Sequence, residues 1–156
     1  MSKTKNVHGT AVLLGSTGVL LRGPSGAGKS LLALALLDRW QARGLPAFLI
    51  ADDRVELSVG DSAIAAKAPE TLVGQIELRG RGIIRRPHAD GADLHLVIDL
   101  VPDLVRMLED DDLTTDIDGV LLARAPVPTS DVVLVEHQML LVAEAIAALA
   151  EPAITP

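Results

Sequence analysis

The chain contains no cysteine, which excludes disulfides, thiolate zinc sites and cysteine nucleophiles and is compatible with a reducing compartment. Aromatic residues are nearly missing as well: there is one Trp, one Phe and no Tyr. The core must therefore be built from Leu, Val, Ile and Ala, which dominate a 49 % hydrophobic fraction. Long apolar runs are also lacking. Stretches such as Leu31–Leu37 and Met139–Val142 fall far short of the roughly 20 residues that cross a bilayer. The short polar start Met1–Val7 is unlike a secretory leader. No membrane association is expected, and the expected location is the cytoplasm. Positive charge is in the minority, with 14 Lys and Arg against 21 Asp and Glu and a formal net charge of −7. Such a field repels polyanions, so nucleic acid is not an expected partner. A length of 156 residues fits one domain over residues 1–156 with a single sizeable core.

What is present reads as an α/β pattern. Thr10–Leu14 and Gly18–Leu21 are apolar runs separated by Gly15-Ser16-Thr17, which predicts a hairpin. Lys29–Arg43 is predicted to be a helix buried against a sheet, stopped by Gly44 and Pro46. Ala47–Ala51 is predicted to be a buried strand with Asp52 and Asp53 at its end. Arg54–Val59 and Ser62–Ala66 alternate around Gly60-Asp61 and predict a second hairpin. Ile76–Ile84 is interrupted by glycine and reads as loop with short strand. Leu94–Leu100 and Val120–Ala123 are predicted buried strands, and Asp131–Ala150 a C-terminal helix. The expected fold is one α/β P-loop domain with a mixed central sheet, an additional small antiparallel hairpin or sheet, and flanking helices.

Gly23-Pro24-Ser25-Gly26-Ala27-Gly28-Lys29-Ser30 matches G-x-x-x-x-G-K-[ST] at every fixed position, after a predicted strand and at the start of a predicted helix. Glycines let backbone N–H groups converge on a phosphate, and the helix N-terminus favours an anion. Lys29 is expected to reach the β/γ-phosphates and the Ser30 hydroxyl to bind Mg²⁺. The expected nucleotide contacts run from Gly23 to Leu31. A P-loop also requires a carboxylate on the metal side, at the end of a buried strand after the P-loop helix. Asp52 and Asp53 occupy that place, one suited to hold the metal or its water and the other to act as a base. Glu77, in Ile76-Glu-Leu-Arg-Gly-Arg-Gly-Ile83, is a candidate second metal-side carboxylate or simply a loop residue. His8, Arg106 and Arg124 have no assigned chemistry from residue type alone. His88, His95 and His137 show no metal-ligand spacing and read as structural or surface residues.

Taken together, His8-Gly9, Gly23–Ser30, Ala51-Asp52-Asp53-Arg54-Val55 and Glu77-Leu-Arg-Gly-Arg-Gly-Ile83 resemble the catalytic domain of the bacterial HPr kinase/phosphorylase family, over Val7 to about Ala150. The resemblance implies a nucleotide site like that of phosphoenolpyruvate carboxykinase. It implies ATP- and Mg²⁺-dependent phosphorylation of a serine of HPr, the phosphocarrier of the sugar phosphotransferase system. It also implies the reverse phosphorolysis with phosphate, giving pyrophosphate, and a homo-oligomer, hexameric in the family. On this resemblance Asp52 is the catalytic base, tuned by a neighbouring His8. Lys29 and Arg106 neutralise the transferred phosphoryl group, with Arg124 the alternative to Arg106. Ser30, Asp53 and Glu77 surround the metal. Three departures stand out: the family's N-terminal domain has no counterpart, the stretch Gly80–Arg86 is more basic, and Pro128-Thr129-Ser130-Asp131 replaces a Pro-Gly-Arg-Asn loop. A P-loop kinase for a small metabolite and a non-catalytic nucleotide-binding regulatory module are the competing functional classes.

Overall fold

The computed structural model describes residues 3–150; residues 1–2 and 151–156, which the expected 1–156 domain includes, lie outside the described residues. Among the described residues there are ten strands and two α-helices. The strands are β1 (Lys3–Leu14), β2 (Thr17–Arg22), β3 (Ala47–Val59), β4 (Ile64–Lys67), β5 (Gln75–Leu78), β6 (Gly82–Arg85), β7 (Ala92–Asp93), β8 (Leu96–Val101), β9 (Thr114–Ile117) and β10 (Val120–Pro128). The helices are α1 (Lys29–Ala42) and α2 (Val135–Leu149). Eight strands form one mixed sheet in the order β7-β4-β3-β1-β2-β8-β10-β9, and β5 and β6 form a separate antiparallel pair. The α/β fold with a mixed sheet and a small antiparallel sheet is therefore as the sequence predicts. Strands β2, β8 and β10 run parallel, while β1, β3, β4, β7 and β9 pair antiparallel.

The large sheet curls on itself. Lys5 on β1 forms an ion pair of 3.2 Å with Asp118 in the β9–β10 turn, although several strands separate them in the sheet order. On the opposite side, Gly18 of β2 approaches Asp93 of β7 so closely that a Cβ on Gly18 would fall 1.9 Å from the Asp93 carbonyl oxygen. His95 accepts the Gly18 N–H at Nδ1 (2.9 Å), a structural role of the kind expected for it. The curl divides the core in two. One cluster lies between the sheet and the helices, with Leu32, Leu36, Met139 and Val142 packed on Val12, Leu21, Leu49 and Ile98. The other fills the opposite face, with Ala11, Leu20, Ala51, Leu57, Ile64 and Val97. Aliphatic burial of this kind stabilises by about 25 cal/mol per Å², and here it proceeds almost without aromatics.

Several boundaries differ from expectation for identifiable reasons. The two expected strands Ala47–Ala51 and Arg54–Val59 are one strand, because β1 begins at Lys3 and supplies ladder partners along the whole of β3. Asp52 and Asp53 consequently lie inside a strand and not at its end. The hairpin with Ile64–Lys67 belongs to the main sheet. The small sheet is formed by Gln75–Leu78 and Gly82–Arg85, around the stretch Ile76–Ile84 expected to be loop with short strand. Helix α2 starts at Val135 and not at Asp131, since the Thr129 carbonyl takes the N–H groups of Val132 and Val133 in a tight turn.

The register of β3 against β1 contains one irregularity. Ala11 pairs with Ala51 but Val12 pairs with Leu49, so Ile50 is an extra residue in β3. This is a β-bulge. Ala47 and Leu49 face the helices, whereas Ala51, Val55, Leu57 and Val59 face the other cluster. Asp52 is thereby turned to the helix side, directly across from Thr10.

Candidate functional site

The parallel strand β2 ends at Arg22 and releases the chain into the loop Gly23–Gly28, which opens α1. Gly26 and Gly28 take left-handed φ values of 84° and 96°, a region that side chains with a Cβ avoid. The loop bounds a cleft of about 470 Å³. Of the expected nucleotide contacts, Ser25, Gly26, Gly28, Lys29, Ser30 and Leu31 line this cleft. Ala27 is turned into the core, and a Cβ on Gly23 would lie 3.1 Å from Leu100 Cβ, so these residues shape the loop from behind. Lys29 is buried and donates from Nζ to the carbonyls of Gly23 (2.7 Å) and Pro24 (3.0 Å). An ammonium has three donors, so one remains for an anion in the cleft. Burial pulls the Lys29 pKa below the usual lysine range, against the opposing charges of Asp52 and Asp53.

The acidic side of the cleft is built by β1, β3 and β5. Asp52 is buried and its Oδ1 accepts from Thr10 Oγ1 (2.9 Å) and Ser30 Oγ (2.7 Å). Its Oδ2 accepts the backbone N–H of Glu77 at 3.1 Å. Three donors thus fix this carboxylate. Asp53 is different: its backbone is left-handed (φ 71°) and its side chain is 70 % exposed. A residue in that region breaks the alternation of the pleat, and both acids line the same cleft.

His8 lies beside Asp53, with Nδ1 3.1 Å from its carbonyl oxygen and 3.4 Å from its carboxylate. The expected placement of His8 beside Asp52 is therefore not the one observed. His8 neighbours Asp53 and not Asp52, and Ser30 is bonded to Asp52 and not Asp53. The cause is the ladder: Thr10 stands opposite Asp52 and takes the position next to it, while His8 stands two pairs further along, opposite Arg54 and beside Asp53.

Glu77 lines the cleft with an exposed side chain. Among the described residues no three His, Asp or Glu side chains converge as a metal cage. The oxygens of Ser30 and the neighbouring carboxylates are hard donors that fit Mg²⁺, which commonly takes one or two protein ligands and completes its shell with phosphates and water. Arg106 is not brought into the cleft; it is exposed in the segment between β8 and β9. Arg124 is held elsewhere, donating to Asp99 Oδ2 (2.5 Å) and to the Asp112 carbonyl (3.0 Å).

The arginine at the cleft is Arg79, whose Nη2 lies 3.8 Å from where a Gly26 Cβ would be. Sequence reasoning passed over it, although it lies in the same Glu-Leu-Arg-Gly stretch as Glu77. Its position follows from the tight β5–β6 turn, closed by Arg81 N–H to the Leu78 carbonyl at 2.9 Å.

A parallel-strand–loop–helix unit with a buried lysine, a loop serine and a strand carboxylate bonded to that serine defines the P-loop class of α/β domains. Within it, the sequence profile described as HPr Serine kinase C-terminal domain matches residues 1–147, and the chain belongs to that family. It is 38 % identical over 109 residues to an HPr kinase/phosphorylase of Lactobacillus acidophilus, covering 65 % of this chain and 32 % of that protein. It is 39 % identical over 108 residues to the HPr kinase/phosphorylase of a Geobacillus strain, covering 67 % and 33 %. The chain thus spans about a third of the length of these curated relatives. Among solved structures, the Hpr(Ser) kinase/phosphatase from Coxiella burnetii superposes with a TM-score of 0.74 at 27 % identity, over 93 % of this chain and 90 % of that one. No helix among the described residues is long and apolar enough to cross a membrane.

Proposed function

We propose that this domain transfers the γ-phosphoryl group of ATP, with Mg²⁺, to a serine of the phosphocarrier HPr, and runs the reverse phosphorolysis with phosphate at the same site. The observation that carries the reading is one cleft uniting Lys29 and Ser30 of the P-loop with both acids of β3. The relatives named HPr kinase/phosphorylase support the choice of acceptor. Such a reaction belongs to the cytoplasm and to regulation of the phosphotransferase system. The exposed Leu134, Leu140 and Leu149 along α2 support a homo-oligomer, which light scattering would measure.

The residues divide the work by their geometry. In the forward direction the serine oxygen bonds to the γ-phosphorus, the bond from that phosphorus to the bridging β-γ oxygen breaks, and ADP leaves. Such transfer needs positioning and charge neutralisation more than covalent chemistry. Lys29 and Arg79 offer cationic donors to the phosphates, and bound Mg²⁺ supplies further neutralisation of their charge. Ser30 would hold the metal: its proton is committed to Asp52, which leaves its lone pairs for a cation. Asp52 has three of its lone-pair sites occupied and serves as the fixed metal-side acid. Asp53, exposed beside His8, is open to the acceptor, so it takes the serine proton in the forward direction and returns it in reverse.

Incubation of the chain with ATP, Mg²⁺ and the HPr of its own bacterium should phosphorylate one serine. Absence of transfer by folded protein would sink the acceptor assignment, and turnover of a small metabolite without HPr would replace it with a metabolite kinase.

A further inference from the structure

The β5–β6 hairpin carries Arg79 and Arg81 in its turn and Arg85 at the end of β6, with Arg86 just after, four of the 14 Lys and Arg residues of an acidic chain, with no acid between residues 79 and 86. None of the four forms an ion pair with a carboxylate among the described residues. By contrast, Arg22 and Arg124 are paired by Asp99, while the other unpaired arginines, Arg39, Arg43, Arg54 and Arg106, are scattered along the chain and not gathered on one hairpin. The hairpin has two distinct faces. Ile76, Leu78 and Ile84 pack inward on the core. Glu77 and Ile83 form one cross-strand pair and Gln75 and Arg85 the next, on the outward face. Ile83 is 63 % exposed and lines the cleft, and Leu31 at the start of α1 lines it too, 52 % exposed. Arg79 also lines the cleft, whereas Arg81, Arg85 and Arg86 do not.

We propose that the outward face of this hairpin is the docking arm for the protein acceptor, and that it takes an acidic polypeptide surface presenting an apolar side chain beside the accepting hydroxyl. This rests on the phosphoryl-transfer reading above. Arg79 is left to the phosphates inside the cleft. Arg81, Arg85 and Arg86, outside it, meet carboxylates of the partner, and Ile83 with Leu31 receives the apolar side chain. Complementary charge chiefly accelerates encounter and selects the partner. Exposed aliphatic groups beside unpaired arginines suit a polypeptide better than a second phosphate. A nucleic acid would find almost no aromatic surface for stacking and a strongly negative molecule behind the arm.

The test compares wild type with the combined variant Arg81→Ala, Arg85→Ala, Arg86→Ala, and with its all-lysine counterpart, in steady-state transfer to HPr. The alanine variant should raise the KM for HPr by about tenfold or more, with kcat at saturating HPr and the KM for ATP within about twofold of wild type. Added salt should lower wild-type kcat/KM and leave the alanine variant nearly unaffected. The lysine variant should recover most of the loss. Ile83→Ser should raise the KM for HPr alone. An unchanged KM for HPr in the alanine variant, a raised KM for ATP, or competition by a short single-stranded DNA that the variant no longer shows, would each overturn the docking assignment while leaving phosphoryl transfer in place. A wild type that transfers nothing to HPr removes the function and the docking arm together.

Discussion

The Asp52 carboxylate accepts the Ser30 hydroxyl at 2.7 Å, whereas His8 stands beside Asp53, its Nδ1 3.4 Å from that carboxylate. On the proposed reading this pairing gives the two acids different tasks, and that is testable. Ser30→Ala and Asp52→Ala should each weaken Mg²⁺-dependent ATP binding by about tenfold or more, the effect of a lost metal ligand or of the group that orients it. Asp53→Asn should leave ATP affinity within about twofold and lower transfer by on the order of 10²–10⁴-fold, as removal of a general base does. Calorimetric titration and single-turnover assays distinguish the two. The opposite pattern would return the base role to Asp52.

Arg79 and Arg106 form a second contrast. Only Arg79 lines the cleft. Arg79→Ala should lower kcat by on the order of a hundredfold or more, since an arginine on a transferring phosphoryl group commonly contributes that much. Arg106→Ala should change kcat by less than about threefold by the same reasoning. Equal losses in both variants would contradict the placement of Arg106 outside the site.

Asp99 joins β2, β8 and β10 by accepting from Arg22 (2.7 and 2.9 Å) and from Arg124. Burial alone would push its pKa up, but hydrogen bonds and charge from the two arginines outweigh it and hold the carboxyl below the usual aspartate range. A depressed folded-state pKa contributes stability above the unfolded value of about 3.9 and loses it as the pH falls through the folded value. The resistance of the wild type to urea should therefore weaken on the acid side of that value. Asp99→Asn should flatten this acid limb and cost about 2–3 kcal/mol at neutral pH, where two arginines are left without their partner. Because Arg22 immediately precedes Gly23, the variant should also loosen the P-loop, read as faster amide exchange there.

Gly18 allows the sheet to curl against Asp93. Gly18→Ala puts a methyl group into a backbone carbonyl, and overpacking of that kind costs about 3 kcal/mol, roughly 6–12 °C in Tm for a chain of this size. A thermal melt at wild-type temperature would mean that β7 moves aside freely.

The P-loop was legible because its spacing carries its physics: glycines, lysine and serine between a strand and a helix. The α/β class followed from the apolar runs. The continuity of β3 was hidden, since Asp52-Asp53-Arg54 interrupts the apolar pattern as a strand end does. Only the ladder from β1, whose first residues are polar and exposed, shows otherwise. The placement of His8 beside Asp53 and of Ser30 on Asp52 was equally hidden, because cross-strand register leaves no mark in local composition. Arg79 was visible as a residue but not as a member of the site. Its closeness to Gly26 depends on how the β5–β6 turn lies over the loop.

The extra residue Ile50 has an effect out of proportion to its size. Along a regular strand side chains alternate strictly, and unbroken alternation from Leu49 would send Asp52, three residues on, away from the P-loop into the aliphatic cluster around Leu57 and Val97. The bulge shifts the count by one. The site's acid is thus set by parity as well as by residue type: the same Asp-Asp pair one residue closer to Leu49 would be chemically intact and face the wrong side of the sheet. A strand that kept the Leu49-to-Asp52 spacing but paired without the bulge would keep the motif and lose the cleft.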